Sequence, residues 1–508
     1  MSAAVQVAAT VCLIWSSFVY VVEVVGVSAI FKYFSKRPGP SVSAGLGTEA
    51  PRVTIVRPVK GLEAELYACL ASTFRQTYPR DRFSINLCVD SRDDPSYPVL
   101  EQIVRDFPGV DARVLVETDD SLLNGTVEGA DIGPNPKVRN ISRAYREAQG
   151  DVIWMIDCNV WVGPGVLGRM VDKLLGLKHG DKTGTAYKFV HHLPIVADLT
   201  HLDEPARGEK ASTYNTMAAM FAWAGGRLDD MFMSTTHAKF YGAINAVGIA
   251  PCIVGKSNMF RKSHLDQATD PSRNPLLSNT PKKPIGVDLF SYNICEDHLI
   301  GDILWRTNMP GFANHGTVWG DIPVQPIANM SVSGYAGRRV RWLRARKWTV
   351  LAATLVEPGV ESLLCCAYFS FAITTLPWFQ NVFGIPQTWQ FTGVAWLVTV
   401  TLWMLVDRMT SSQLHRGLAI EVDENTPRFA RGTSHPGGMP SRKFFPWLLT
   451  WIGREVLAMP IWTTAVLLGR SVNWRGNEFL VRSDMTVEEI QGRKPASKPQ
   501  TNGSKKMR

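Results

Sequence analysis

From Ala4 to Phe34 the chain is apolar over more than the ~20 residues needed to cross a bilayer, with Glu23 and Lys32 as the only charges. This predicts a membrane span within residues 1–35. Glu23 is costly in lipid, so it is expected to face another helix or an interface. No cation precedes the span, while Lys32, Lys36 and Arg37 sit at its end. The excess of positive charge there puts the amino terminus outside and the next domain in the cytosol. A cleaved signal peptide would show the reverse charge order and a shorter apolar core. Residues 36–52, with their Pro, Gly and Ser, read as a linker.

At Val53 the period changes. "VTIVRPVKG" is a short apolar strand ending in a turn, a helix follows near Glu63–Gln76, and "FSINLCVDSRDDP" is a second strand. The rhythm continues through "ARVLVET" and "DVIWMIDCNVWV". Such alternation predicts an α/β domain over 53–348 with a mostly parallel sheet, whose ligands bind beyond the carboxyl ends of its strands. Residues 199–231 and 263–290 are rich in polar residues and breakers and read as surface insertions.

Further on, Gly359–Phe379 and Thr388–Val406 predict a helical hairpin through the membrane over 359–406. Arg408, His415, Arg416, Arg428 and Arg431 follow in a loop over 407–444, which belongs on the same side as the α/β domain. Segment 445–469 leaves two readings open. It crosses the membrane, or it lies in the interface with Arg454 and Glu455 snorkelling to water, and Pro460 is expected to kink it. Residues 470–508 read as a basic tail, disordered in composition from Gly492.

Charge narrows the partners. The net charge is +9, and two acid-free segments, Gly337–Trp348 and Gly492–Arg508, together hold more cations than that excess. The rest of the chain has no broad basic face with interleaved aromatics, so nucleic acid is not expected as a partner. Eight cysteines without a Cys-x-x-Cys or zinc spacing fit reduced, packed thiols on the cytosolic side.

Acids stand where a parallel sheet exposes its binding edge: Asp93 and Asp94 in "SRDDP", Asp157 in "MIDCN", Glu296 and Asp297 in "ICEDH". Any one of them alone also fits a turn or helix cap. Taken with the arginine strip "GRRVRWLRARKW", they provide what sugar transfer from a nucleotide needs. Carboxylates hold a hard divalent cation, another accepts the proton of the attacking hydroxyl, and cations meet the departing diphosphate.

In order, "SRDDP", "MIDCN", "CEDH" and "RRVRW" resemble the ceramide glucosyltransferase family, membrane-bound relatives of the processive family-2 transferases. "RPVKG", "NPKVRN", "HHLPIVAD", "STTHAKFY", "CIVGKSNMFRK" and "NWRGNEFLVR" extend the likeness over roughly residues 1–482. The resemblance implies a GT-A (nucleotide-diphospho-sugar transferase) fold, α/β with a mostly parallel sheet, plus N-terminal and C-terminal transmembrane helices. It implies transfer of glucose from UDP-glucose to the primary hydroxyl of ceramide with inversion, by a multi-pass protein of the Golgi or ER membrane with its catalytic domain in the cytosol. The last four residues, "KKMR", match a di-lysine retrieval signal.

Carried over residue by residue, Asp94 is the uridine-side carboxylate, Asp157 the metal and diphosphate carboxylate, and Asp297 the general base. Arg338, Arg341 and Trp342 would face the diphosphate, with Arg339 and Arg344 left for lipid head groups. His237 matches a histidine tied to activity and Cys252 a cysteine near the nucleotide. Lys137 reads equally as a phosphate contact or a surface lysine, His237 as a structural histidine, and Cys252 as a packed thiol. Asn159 stands where many GT-A enzymes have the second acid of Asp-x-Asp, which leaves one firm carboxylate for the expected Mg²⁺ or Mn²⁺. The rival readings are a processive polysaccharide synthase of the chitin, hyaluronan or cellulose type and a non-catalytic membrane scaffold.

Overall fold

The apolar runs that begin at Val53, Phe83 and Val152 become strands because each is buried on both faces of one sheet. The computed structural model describes residues 2–124, 132–180, 184–200, 222–277, 284–474 and 476–490. Strands β1 (Val53–Pro58), β2 (Phe83–Val89), β3 (Asp111–Val116), β4 (Val152–Ile156), β5 (Ala186–His191), β6 (Ile195–Asp198), β7 (Ser257–Arg261), β8 (Phe312–Thr317) and β9 (Val324–Ile327) belong to the α/β domain. Seven of them form one sheet in the order β3-β2-β1-β4-β7-β5-β8. All neighbours run parallel except β7, which is antiparallel to both β4 and β5. Strands β6 and β9 pair separately. The helix foreseen at Glu63–Gln76 covers Leu66–Phe74.

The order of the strands explains where a ligand can sit. The chain winds outward from β1 through β2 to β3, then returns to place β4 on the other side of β1. At such a reversal the connecting loops diverge and leave a crevice at the strands' carboxyl ends. Val59 and Lys60 leave β1 there, and Asp157 to Asn159 leave β4. Arg57, fully buried, holds the second loop by donating to the carbonyls of Cys158 at 3.0 Å and Val160 at 3.2 Å.

Among the described residues two helices are long and apolar enough to span a membrane, Ala3–Tyr33 and Trp389–His415. Helix Ser362–Thr375 packs against both of them and is bent by 71° from Leu351–Val360. The first limb of the foreseen hairpin is thus broken. Glu23 does face other helices: its carboxylate pairs with Lys239, which also meets Asp407 at 2.7 Å and lies over the Trp403 ring.

Helix Phe444–Val466 continues through Pro460. Buried residues on either side hold it, Trp451 and Arg454 before the proline and Ile461 and Ala465 after it. Its charges do not snorkel to water as one of the two readings expected: Arg454 is buried between Glu361, at 2.7 Å, and Glu455. The described parts of 199–231 and 263–290 are only partly surface: Ser272, Arg273 and Leu276 are exposed, while other positions are core. Helix Gly225–Ser234 is buried at every position but Arg227, and His264, Leu265, Ala268, Val287 and Phe290 join the core. Residues 201–221 and 278–283 lie outside the described residues, as does the tail 491–508.

The tail does not begin at 470. Strands β10 (Ser471–Trp474), β11 (Asn477–Val481) and β12 (Val487–Glu489) form an antiparallel sheet. Val472, Phe479, Val481 and Val487 pack with Ile294 into a small core of their own. Alternation over so few residues gives a weak signal for strands.

Candidate active site

A cavity of about 570 Å³ opens at the carboxyl ends of β1 and β4. Among the expected residues, Lys137, Asp157, His237, Asp297, Arg338, Arg341 and Trp342 line it. They come from segments far apart in the chain, and their meeting follows from local features of each.

In "NPKVRN", Asn135 caps helix Pro136–Arg146 by accepting from the amides of Lys137 at 2.8 Å and Val138 at 3.1 Å. This aims Lys137 inward from the first turn. Its ammonium lies 2.9 Å from Glu296, 2.9 Å from Asp297 and 3.3 Å from Asp157. A surface lysine it is not, with 7% of it exposed. Cys295, in the left-handed region at φ 81°, turns the chain into helix Glu296–Arg306 and puts both acids in its first turn, where the helix dipole favours negative charge. The small C-terminal sheet backs this turn: Val487 N donates to Tyr292 O at 2.7 Å and Asn293 Nδ2 to Met485 O at 3.0 Å.

Lys256, from "CIVGKSNMFRK", donates to the other oxygen of Asp157 at 2.9 Å and lies 3.5 Å from Asn159 Oδ1. Next to it, Gly255 presses on the acid opposite: a Cβ there would fall 1.9 Å from Asp297 Oδ2. Only a residue without a side chain allows that approach.

The charges separate two carboxylates by environment. Burial favours the neutral form of Asp157, but Lys137 and Lys256 outweigh it and hold the group well below the usual carboxylate range. Asp297 is pushed up to about 7, first by burial and then by the negative Glu296 and Asp157, against the pull of Lys137. One acid is therefore a fixed anion and the other is poised to exchange a proton near neutrality.

On the opposite wall runs helix Val332–Arg346. Arg338 is anchored by Asp229 at 3.4 Å and Gln325 at 3.1 Å, and its guanidinium stacks 4.5 Å from the Trp342 ring centre. Arg339 is not a lipid contact. It is buried, lies 3.5 Å from the Phe232 ring centre and pairs with Glu357 at 3.0 Å. Arg344 likewise points inward, to the carbonyls of Thr464 at 3.0 Å and Ser471 at 2.6 Å. A strip of cations reads as one surface in sequence, yet a helix distributes it over several faces.

His237 is half-buried in the cavity wall, and desolvation with Arg339 and Arg346 nearby pushes it down to about 3, so its imidazole is neutral. Its Nδ1 has no hydrogen-bond partner among the described residues. Asp94 does not line the cavity. It accepts from Gly61 N at 3.0 Å and Ser96 N at 2.9 Å and sits 3.3 Å from Lys60, thereby fixing the β1 turn whose Lys60 and Glu63 do line it. Cys252 also lies behind the wall formed by Ile253 and Val254, with burial pushing its thiol up to about 11, which makes it a packed thiol.

Sequence reasoning missed Lys60, Lys256, His298, Arg346 and Trp474 as cavity residues. For Lys60 and Lys256 a signal was available, since each lies in a quoted motif at a strand end. Trp474 also lies in a quoted motif, "NWRGNEFLVR", but nothing local ties that motif to the sheet edge.

Asp157 and Asn159 present two hard oxygens on one wall. Among the described residues no group of three or more His, Cys, Asp or Glu is arranged to hold a metal ion. Both oxygens of Asp157 already meet ammonium groups, Lys137 at 3.3 Å and Lys256 at 2.9 Å, so a Mg²⁺ or Mn²⁺ bound here would have to displace Lys256 and complete its shell with phosphate oxygens and water.

Comparison with known proteins adds an independent line. The model of glycosyl transferase family 21 matches residues 11–202 and 286–487. The chain is 52% identical over 485 residues to a ceramide glucosyltransferase of Gibberella zeae, covering 92% of this chain and 91% of that one. Identity is 52% with a ceramide glucosyltransferase of Pyricularia oryzae, over 94% of each, and 35% with one of Komagataella phaffii, over 96% and 93%. Among solved structures, a mannosyltransferase from Pyrobaculum calidifontis in complex with GDP-Man and Mn²⁺ aligns with TM-score 0.36 at 13% identity, covering 80% of this chain and 98% of that one. That global likeness is too slight to carry an argument about the site.

Proposed function

The chain belongs to glycosyl transferase family 21, with the ceramide glucosyltransferases, and on that premise we propose that it transfers glucose from UDP-glucose to the primary hydroxyl of ceramide with inversion. The observation that carries the reading is the meeting of Asp157, Lys137, Asp297 and the arginine helix around one cavity.

In the proposed reaction Asp297 accepts the proton of the ceramide hydroxyl as that oxygen attacks the anomeric carbon from the face opposite UDP. The bond from that carbon to the diphosphate oxygen breaks in the same displacement, so the configuration inverts. Lys137, Lys256, Arg338 and Arg341 surround the space where negative charge builds on the leaving UDP. Lys137 also couples the base to the diphosphate side of the cavity, through its contacts to Asp157 and Asp297. A divalent cation held by Asp157 and Asn159 would supply further charge neutralisation to the diphosphate. The neutral His237 offers Nδ1 as a hydrogen-bond acceptor or donor to substrate, not as a proton source.

The protein belongs in a membrane, with two helices long and apolar enough to span it. The charge that ends the first span favours the cytosolic side for the cavity, and the family resemblance favours the Golgi or ER membrane. A cavity at bilayer level spares the acceptor extraction into water, which costs ~0.8 kcal/mol per methylene. A scaffold without activity is excluded by the family, and polymer synthesis does not fit the relatives that the chain matches.

Purified full-length protein given ceramide and a panel of UDP-sugars tests the reading. A single glucosyl lipid extracted into organic solvent, formed from UDP-glucose in preference to UDP-galactose, is the expected product. No lipid product from any UDP-sugar, or a water-insoluble polymer, contradicts it.

A further inference from the structure

A second cavity of about 140 Å³ lies apart from the first, where the spanning helix Trp389–His415 ends and helix Phe444–Val466 begins. Arg408, His415, Arg416 and Arg442 line it together with Ser411, Ser412, Thr433 and Ser441. The volume is several times the ~30 Å³ that one water occupies in the liquid. Two acids share the wall, and both already have partners. Asp230 pairs with His415 at 2.7 Å and with Arg442, and Asp198 with Arg227 at 3.7 Å.

Arg408 and Arg416 have no carboxylate partner among the described residues. Arg408 is half-buried, donates to Arg442 O at 2.6 Å and stacks on Trp447 at 5.2 Å, which holds its guanidinium at the cavity with a backbone carbonyl but no anion as partner.

Depth identifies the anion. From Trp389 to Arg408 the helix is ~29 Å long, close to the ~30 Å of a hydrocarbon core. Along that length Val394, Leu397, Val398, Leu402 and Leu405 are exposed. Arg408 therefore stands at the level of the lipid phosphates, and Phe444 and Phe445, both exposed beside Arg442, continue the apolar surface on which a lipid tail would lie. We propose that this cavity binds the phosphate of an anionic membrane lipid, held by Arg408 and Arg416 with the hydroxyls of Ser412 and Thr433 completing the contact. The inference rests on the membrane placement of the helices and not on the transfer reaction.

The test uses full-length protein in phosphatidylcholine nanodiscs with and without dioleoyl phosphatidic acid, with retained lipid counted by mass spectrometry. Wild type is expected to retain phosphatidic acid above phosphatidylcholine, and Arg408→Gln and Arg416→Gln each to weaken that retention by about fivefold, the effect of one basic residue at a membrane surface. Arg416 is exposed, so Arg416→Gln keeps the test valid if Arg408→Gln misfolds. Equal retention in wild type and the Arg416 variant, or no enrichment, overturns the proposal. Inorganic phosphate binding in detergent with no retained lipid overturns the assignment to a lipid. Transfer activity in pure phosphatidylcholine should be unchanged by Arg416→Gln, so loss of the lipid result and loss of the transfer result can be told apart.

Discussion

Asp297 differs from the other acids of the cavity because it is the one whose charge is least compensated. Lys137 is shared among three carboxylates, while Lys256 serves Asp157 alone. A raised pKa means that the base is ionised above about 7 and loses activity as pH falls through that value. The kcat/KM profile, which reports the free enzyme, should therefore have its acid limb near 7. Glu296→Gln removes a neighbouring negative charge and leaves Lys137 more to Asp297, so the limb should move to lower pH. An acid limb unchanged in that variant would assign the proton to another group. Gly255→Ala tests position rather than charge. Its methyl group displaces the Asp297 carboxylate, and kcat should fall by about 10- to 100-fold with donor KM little changed.

The separate acids were legible in the sequence because strand ends and a helix start are local signals. Their pKa values were not, because Lys137 arrives from a helix 160 residues earlier. The same limit explains Arg339 and Arg344, whose partners Glu357 and Ser471 lie on other elements.

Among elements, the small C-terminal sheet has the least obvious purpose and a clear mechanical one. It holds the turn at Tyr292 and Asn293 that leads into Glu296 and Asp297. Phe479 is fully buried in it, so Phe479→Ala should cost ~3–5 kcal/mol in that unit and lower kcat without contacting substrate. Thermal unfolding and limited proteolysis near residue 470 check this; an unperturbed kcat would mean that the sheet does not position the base. The alternation of strands in the α/β domain was readable from Val53 to Val162, where apolar runs and turn residues follow one another plainly. Strand β7 escaped because "SNMF" is short and begins with polar residues, and it became a strand through insertion between β4 and β5.

For the whole molecule, buried charge joins the membrane helices to the catalytic domain. Helix Thr236–Val247 carries His237 at the cavity and Lys239 at Glu23 and Asp407. Lys239→Ala leaves two buried carboxylates without their cation, and a loss of ~3–5 kcal/mol in stability is expected, seen as a lower midpoint in thermal unfolding. The apolar runs at Ala4–Phe34 and Thr388–Val406 were plain in the sequence, since they depend on composition alone; the break before Ser362 and the helix that faced Glu23 depended on packing that composition does not encode.

The most direct measurement compares wild type and Asp297→Asn, both full length in nanodiscs, for UDP binding and for glucose transfer from UDP-glucose to ceramide. The variant should bind UDP as wild type does while kcat drops by about 10²–10⁴-fold. Transfer at the wild-type rate by Asp297→Asn would contradict the assignment of the base and, with it, the mechanism built on this cavity.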